Sequence, residues 1–365
     1  MHRKMRHTDP LLNLWRQSGR AAIRRAGSLK MALALVVAVA LASAAPTATA
    51  NAGRAAAFMR DSIGLSAAQI ASVEAGAVVT TQLSASDNSE IAAFGAIRVH
   101  GDRAAFLHKV AADVGRSRRG LVQEVGRLSR PPRIEDLAGL TLDDDSLERV
   151  RDCKPGSCSI KLSRSAMERI QRDVDWEAAD ARSRATRVLE EMLVDYASAY
   201  MKGGTAAMAT YADKQSPIET SAEFRRILTA SPYLVEYVPE LHRYAEEYPT
   251  ASLTGTEDFF YWSKDRYAPK PTISLFQVVV WNDPQREHAV IASKRIYASH
   301  YFRAGVELLA VVAAPDGGFY LMDLYRARID PPKGLLAGAI MGKVRGGIEQ
   351  AVRENLRGLA TSDWR

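Results

Sequence analysis

The stretch GFYLMDLYRARIDPPKGLLAGAIMGKVRGGIEQAVRENL, residues 318–356, changes its pattern at a double proline, residues 331–332. The part before the prolines is rich in aromatic and aliphatic residues and is bounded by turn residues, which is typical of a β-strand. After the prolines, an apolar residue recurs at every fourth position from Leu336 to Leu356, which predicts one amphipathic helix over residues 335–358. The sequence therefore predicts that a strand and then a long helix close the chain.

Four further runs of the same kind lie upstream of this strand, and turn signals such as NDPQ and PDGG separate several of them. The runs comprise residues 258–264, 272–282, 289–299 and 301–313. Strands that short turns join usually pair in opposite directions, so these runs predict an antiparallel meander. In the last of the four, the even positions are mostly apolar and the odd ones include Tyr301, Arg303 and Glu307, which predicts one sheet face of mixed polarity.

The rest of the chain divides by its periodicity. Residues 53–163 are predicted to add strands and a helix to the α+β domain, residues 164–255 to form a helical insertion, and residues 256–365 to form the meander and closing helix. Inside the insertion, a long amphipathic pattern over residues 179–204 ends at a double glycine. The predicted fold class is α+β, with an antiparallel sheet, a long C-terminal helix and an inserted helical subdomain.

This order of elements is similar to the helix-grip order of the START-like lipid-transfer superfamily. AAFGAIRVHGDRAAFLHKVAADV, residues 92–114, looks like the first strand and first helix of that superfamily, and residues 318–356 look like its last strand and closing helix. The resemblance implies that a curved sheet and the closing helix enclose an apolar cavity for lipids, sterols or other hydrophobic molecules. It is a resemblance of element order, so it implies no functional residue.

The N-terminus carries an export pattern. Eight basic residues and one acid, Asp9, precede the uncharged run MALALVVAVALASAA, residues 31–45, and Ala50-Asn51-Ala52 fits a signal-peptidase site. Residues 1–52 are therefore predicted to be a signal peptide, which would place the mature protein in the periplasm or outside the cell. An uncleaved N-terminal anchor and a later start at Met31 are the alternatives.

Charge argues against a nucleic-acid partner. The chain has 49 Lys and Arg against 42 Asp and Glu, a net charge of +7. Residues 1–52 hold eight of the basic residues and one of the acids, so the remainder is formally neutral. A nucleic-acid-binding protein is expected to carry a basic face instead.

The two cysteines of the chain, Cys153 and Cys158, flank a Pro-Gly turn signal. In an exported protein, an even number of cysteines around a turn predicts a disulfide. Their spacing is not the C-x-x-C of a redox couple, and the seven histidines form no zinc pattern with them. We predict no metal and no cofactor.

Candidate pocket residues lie on the mixed sheet face and on the closing helix. From the sheet, the candidates are Tyr301, Arg303, Glu307 and Asp323. From the helix they are Gly338 and Gly342, which belong to a series of glycines spaced by four. Because glycine lowers helix stability, such a series predicts either close packing against the sheet or the wall of a cavity near these two residues.

Catalytic patterns are weak. Ser299 and His300 are adjacent, and neighbours on a strand point to opposite faces, so the pair is not expected to act together unless the chain bends. The acidic run at residues 142–148 lacks the glycine and glutamate spacing of a calcium loop, so Asp143 or Asp144 is predicted to cap a helix. No catalytic residue is predicted.

Three hypotheses of function follow. The first is an exported binding protein for a lipid or another hydrophobic small molecule. The second is a non-catalytic scaffold or interaction protein of the cell envelope whose tyrosine-rich helices bind a partner that the sequence does not identify. The third is an enzyme that uses Arg303, Glu307 and Asp323, which requires at least two of these side chains to converge in one cleft.

Overall fold

The structure is a computed structural model that describes residues 49–113, 121–283 and 285–361. The basic and apolar segments of the predicted signal peptide lie outside the described residues, as does Val114 of the first predicted helix. Among the described residues, no helix combines the length and the apolar character that crossing a membrane requires.

An eight-stranded antiparallel sheet forms the centre of the fold, in the order β1-β2-β10-β9-β8-β7-β6-β3, and β4 pairs with β5 in a separate ribbon. The strands of the described residues are β1 (Val79–Gln82), β2 (Glu90–Val99), β3 (Val122–Leu128), β4 (Thr210–Tyr211), β5 (Ile218–Glu219), β6 (Thr256–Asp265), β7 (Thr272–Asp283), β8 (His288–Ala298), β9 (Phe302–Ala313) and β10 (Phe319–Ile329). Strands β6 to β10 pair each with the next, so the predicted antiparallel meander is confirmed.

Helices cover both faces of this sheet. Residues 49–57 are helical and continue into a π-helical turn, Phe58–Ser62. The further α-helices of the described residues are α1 (Ala67–Glu74), α2 (Arg103–Asp113), α3 (Asp144–Arg151), α4 (Arg164–Asp173), α5 (Ala181–Gly203), α6 (Thr220–Thr229), α7 (Tyr233–Tyr237), α8 (Pro239–Glu247) and α9 (Ala337–Ala360). Helices α3 to α8 lie in sequence between the paired strands β3 and β6, and we call this segment the insertion.

Alternate side chains of the central strands divide the core into two layers, because successive residues of a strand point to opposite faces. On β10, Tyr320 and Met322 belong to the same buried cluster as Phe224 of α6. Leu321 belongs instead to a cluster with Leu356 of α9. We call these the insertion face and the α9 face of the sheet.

Helix α9 packs directly on the sheet through its C-terminal half. Val352 and Leu356 are buried, and a Cβ added to Gly95 of β2 would lie 2.7 Å from a side-chain carbon of each. Glycine at position 95 therefore allows the helix to approach the strand closely. Strand order and closing helix together are compatible with a helix-grip fold, and the predicted α+β class is confirmed.

The N-terminal half of α9 departs from the expected single apolar stripe. Leu336, which precedes α9, is 70% exposed, and Ile340 is 43% exposed. An α-helix turns once in about 3.6 residues, so a strict spacing of four rotates by about 40° at each step and by about 200° from Leu336 to Leu356. The six apolar positions therefore cannot share one buried face.

The long helix α5 ends where the sequence predicts, at Gly203 and Gly204. Gly204 has a φ of +57°, and a Cβ at this position would lie 1.6 Å from the carbonyl oxygen of Tyr248. Only glycine fits so close to that backbone. The double glycine thus lets α5 end against the loop after α8.

Candidate functional site

A cavity of about 420 Å³ lies between the insertion and the sheet. Its walls come from the segment that follows the cysteine loop, from helices α4 and α5, and from the adjoining ends of β6, β7 and β8. Apolar side chains form most of the surface, and they include Ile160, Leu162, Leu189, Met192, Leu193 and Ile273. Exposed residues such as Thr141 and Asp195 also line it, so the cavity reaches the protein surface.

The cysteine loop supports one wall of this cavity. Cys153 and Cys158 form a disulfide, as predicted, with a Cα–Cα distance of 4.5 Å. The loop hydrogen-bonds to the segment after β4, because the Gly156 amide donates to the Ala212 carbonyl at 2.7 Å and the Cys158 amide to the Asp213 carbonyl at 3.0 Å. The disulfide therefore restrains the short segment that carries Ile160 into the cavity wall.

The loop before α3 forms part of the rim. The Asp143 carboxylate accepts a hydrogen bond from the Ser146 amide at 2.8 Å, so the predicted helix cap is confirmed at Asp143. Lys264 of β6 holds this loop to the sheet, since its ammonium donates to the Thr141 carbonyl at 2.9 Å and to the Thr141 hydroxyl at 2.7 Å. The Asp143 carboxylate and the Lys264 ammonium are thus already hydrogen-bonded within the protein.

Three tyrosines supply rings to the cavity wall. The Tyr196 hydroxyl donates to the Ile296 carbonyl at 2.6 Å, the Tyr297 hydroxyl donates to the Lys161 carbonyl at 3.1 Å, and the Tyr211 hydroxyl accepts from the Ala298 amide at 3.0 Å. Burial raises the pKa of all three phenols. They remain neutral at physiological pH and present apolar rings to the cavity.

Ser299 and His300 also line the cavity, and here the chain bends. Strand β8 ends at Ala298, and Tyr301 has a φ of +60°, in the left-handed region. The bend brings Ser299 Oγ to 3.0 Å from His300 Nδ1, which is the exception that the sequence prediction allowed. Alternation holds only while the backbone is extended, and at this position it is not.

The environment of His300 keeps its imidazole uncharged. The residue is only 7% exposed. Burial, followed by the positive charges of Lys270, Lys161 and Arg149, lowers the pKa of His300 from 6.5 to about 4, and Asp143 opposes the shift weakly. The Nε2 atom is buried and has no hydrogen-bond partner among the described residues.

A partly buried ion network lies beside the cavity, at the end of β10. The Asp330 carboxylate is 2.7 Å from Lys161 Nζ, 2.5 Å from Lys214 Nζ and 3.0 Å from Arg303 Nε. Burial acts to raise the pKa of Asp330, but these cations outweigh it and lower the pKa from 3.8 to about 2. Asp330 is therefore a carboxylate that holds three cations at one place.

The sheet residues of the predicted pocket fall in different places. Arg303 pairs with Asp330 and lies 3.8 Å from Glu223 of α6, on the insertion face. Asp323 is buried on the α9 face, where its carboxylate accepts a hydrogen bond from the Asn355 side chain at 2.8 Å.

Glu307 lies in register between Ser293 and Tyr325. The hydroxyl of Tyr301 accepts a hydrogen bond from the Lys270 amide at 3.2 Å. Because Arg303 and Asp323 project to opposite faces of the sheet, these two of the three side chains proposed for an enzyme do not converge in one cleft.

Gly338 and Gly342 are exposed on α9. A Cβ added to either glycine would meet no atom within 4 Å, so neither is packed against the sheet. The 420 Å³ cavity lies on the other side of the sheet, and a second one of about 110 Å³, lined by Phe58, Phe94 and Tyr233, is also on the insertion face. The two glycines line neither of these cavities.

Within residues 49–113, 121–283 and 285–361, no group of three or more histidine, cysteine, aspartate or glutamate side chains is arranged to hold a metal ion. No protein-family model matches the chain, and a comparison with curated proteins gives no significant match. The assignment of function therefore depends on the geometry of the cavity.

Proposed function

We propose that the protein binds a hydrophobic small molecule in the 420 Å³ cavity between the insertion and the sheet. The observation that carries the proposal is a surface-accessible cavity of ligand size whose wall is mostly apolar. Small-molecule sites in proteins are typically clefts of about 300–1,000 Å³ with apolar walls and a few polar groups. The cavity has this composition.

The element order supports the same class of function. It is similar to that of the START-like superfamily, whose members hold lipids, sterols and other hydrophobic molecules. The cavity differs in position, since it is on the insertion face and not beneath α9. The predicted export signal is consistent with the proposal. A carrier in the periplasm or outside the cell would be in an oxidising compartment, which would maintain the Cys153–Cys158 disulfide.

The proposal predicts that filling the cavity abolishes binding. Ala166 of α4 lines the cavity, so Ala166→Phe would place a phenyl ring in the volume that a ligand needs. The full-length protein should bind the neutral fluorescent probe N-phenyl-1-naphthylamine, and we expect Ala166→Phe to weaken binding about tenfold or more. Organic extraction and mass spectrometry of the native protein should identify copurified ligand.

Ala199→Phe is the matched control, because Ala199 is an exposed alanine of helix α5 and does not line the cavity. It should bind the probe like the wild type. A wild type that binds no probe and copurifies with no small molecule would overturn the proposal. So would equal losses of binding in the two variants.

A further inference from the structure

The bend at residues 299–301 fixes which nitrogen of His300 carries a proton. Ser299 Oγ accepts a hydrogen bond from the Ile273 amide at 2.9 Å and lies 3.0 Å from His300 Nδ1. Among the described residues, Nδ1 is the one acceptor within reach of the Ser299 hydroxyl proton. The hydroxyl therefore donates to Nδ1, and the single proton of the neutral imidazole is on Nε2.

A buried N–H without a partner is costly in a folded protein. His300 Nε2 is such a group in the described part of the chain, and His300 is one of the residues that line the apolar cavity. A ligand that reaches this end of the cavity would satisfy it by accepting a hydrogen bond. The ligand is thus expected to have an apolar body and an acceptor at one end.

The charges around His300 indicate which acceptor. Lys161 is paired with Asp330 and Arg149 with Asp145, whereas Lys270 has no ion pair within the described residues. Of the acids on the rim, Asp195 pairs with Arg169 at 2.8 Å, whereas Asp143 caps α3 and its charge partly opposes those of the three cations at His300. The cations outweigh Asp143, so the potential at His300 is positive and favours an anion.

We propose that the ligand carries a carboxylate at the end of an apolar chain, and that the Nε2–H of His300 donates a hydrogen bond to that carboxylate. This inference rests on the proposed function and specifies its ligand class. Ser299 is the positioning residue, because its hydroxyl holds the imidazole in the tautomer that donates into the cavity.

The test compares three ligands that share one chain, decanoate, decanol and decylamine, by displacement of N-phenyl-1-naphthylamine from the full-length protein. We expect the wild type to bind decanoate most tightly and decylamine least tightly. His300→Leu should weaken decanoate binding about tenfold or more and weaken the binding of decanol and of the neutral probe by much less. His300→Gln, which keeps an N–H donor on a similar reach, should recover part of the preference for decanoate.

Ser299→Ala frees the tautomer of His300 and should reduce the preference for decanoate by less than His300→Leu does. The inference is overturned if the three ligands bind equally well, or if His300→Leu binds decanoate like the wild type. It is also overturned if the wild type hydrolyses p-nitrophenyl decanoate and Ser299→Ala does not, since Ser299 would then be a nucleophile. Probe binding by the wild type tests the proposed function separately, because it needs no acceptor.

Discussion

The two faces of the sheet are covered in different ways. On the α9 face, helix α9 packs directly against β2, where Gly95 permits the contact with Leu356, and Phe106 of α2 packs against Phe319 of β10. On the insertion face, the long helix α5, several short helices and loops lie over buried charged side chains, and both described cavities lie there. A few regular helices can fit a sheet closely, whereas a cover of many helices and loops leaves space, so the insertion carries the proposed ligand site.

Among variants that test this contrast between the two faces, Asp330→Asn on the insertion face is expected to change stability most. The change removes the shared carboxylate of the ion network and leaves the buried ammonium of Lys161 without its nearest partner. We expect a loss of about 4 kcal/mol in the free energy of unfolding at neutral pH, measured by urea denaturation. Asp316→Asn is the control, because Asp316 pairs with Arg98 on the half-exposed surface, where the loss should stay below about 1 kcal/mol.

The stability lost in Asp330→Asn should depend on pH in a defined direction. The folded pKa of Asp330 is lowered from 3.8 to about 2, so its contribution to stability is complete above about pH 4 and is lost as the pH falls toward 2. The stabilities of wild type and Asp330→Asn should therefore converge between these values. A constant difference across this range would show that the carboxylate charge is not the cause.

On the α9 face, Leu356→Ala and Ile340→Ala form a matched pair in one series of apolar positions. Leu356 is buried against Gly95, so its truncation should lower stability by about 3 kcal/mol, whereas Ile340 is 43% exposed and its truncation should change stability by about 0.5 kcal/mol or less. Thermal or urea unfolding measures both. Similar losses would mean that α9 packs along its whole length, and the contrast between the two faces would be weaker.

The smallest effect is expected from Lys294→Met, which should stabilise the protein. Lys294 is buried on the insertion face, where its ammonium donates to the Thr205 hydroxyl at 2.8 Å and lies 3.6 Å from the centre of the Phe224 ring. Burial lowers the pKa of Lys294 well below 10.5. The unfolded chain therefore binds more protons between the two pKa values, and wild-type stability falls as the pH falls from about 10.5.

The free energy of unfolding of Lys294→Met should therefore exceed that of the wild type increasingly as the pH decreases. We expect a difference of about 1 kcal/mol at neutral pH, measured by urea denaturation. The exposed Lys202 of α5 provides the control, and Lys202→Met should leave the pH dependence unchanged. If Lys294→Met is less stable than the wild type at neutral pH, the amine makes a net favourable contribution to stability. The insertion face would then be better packed than its contrast with the α9 face implies.

Local patterns were sufficient to predict the elements of the sheet. The five strands from residue 258 to residue 329 are short apolar runs between turn residues, and their pairing follows from short connections. The disulfide and the end of α5 were also predictable, because a Pro-Gly turn between cysteines and a double glycine are local signals.

The cavity could not be predicted in this way, because segments distant in sequence build it. Ile160 follows the cysteine loop, Met192 belongs to α5, and His300 lies beyond β8. No periodicity links these residues, and the bend that turns His300 toward Ser299 depends on a left-handed backbone at Tyr301, a non-glycine residue. The four-residue spacing in α9 led to a wrong prediction of one continuous apolar stripe. Because the helix has about 3.6 residues per turn, positions spaced by four rotate progressively around its axis.

The position of β10 inside the sheet, between β2 and β9, affects how the protein folds. Val99 and Phe319 are register partners, so the part of the sheet formed by β1 and β2 stays unjoined to the part from β9 to β3 until the last strand has been synthesised. Contacts so distant in sequence slow folding, because a long loop must close before they form. Until then, β2 and β9 expose unpaired edges that can bind other chains, so a folding helper that shields nascent strand edges would be of most use to this protein.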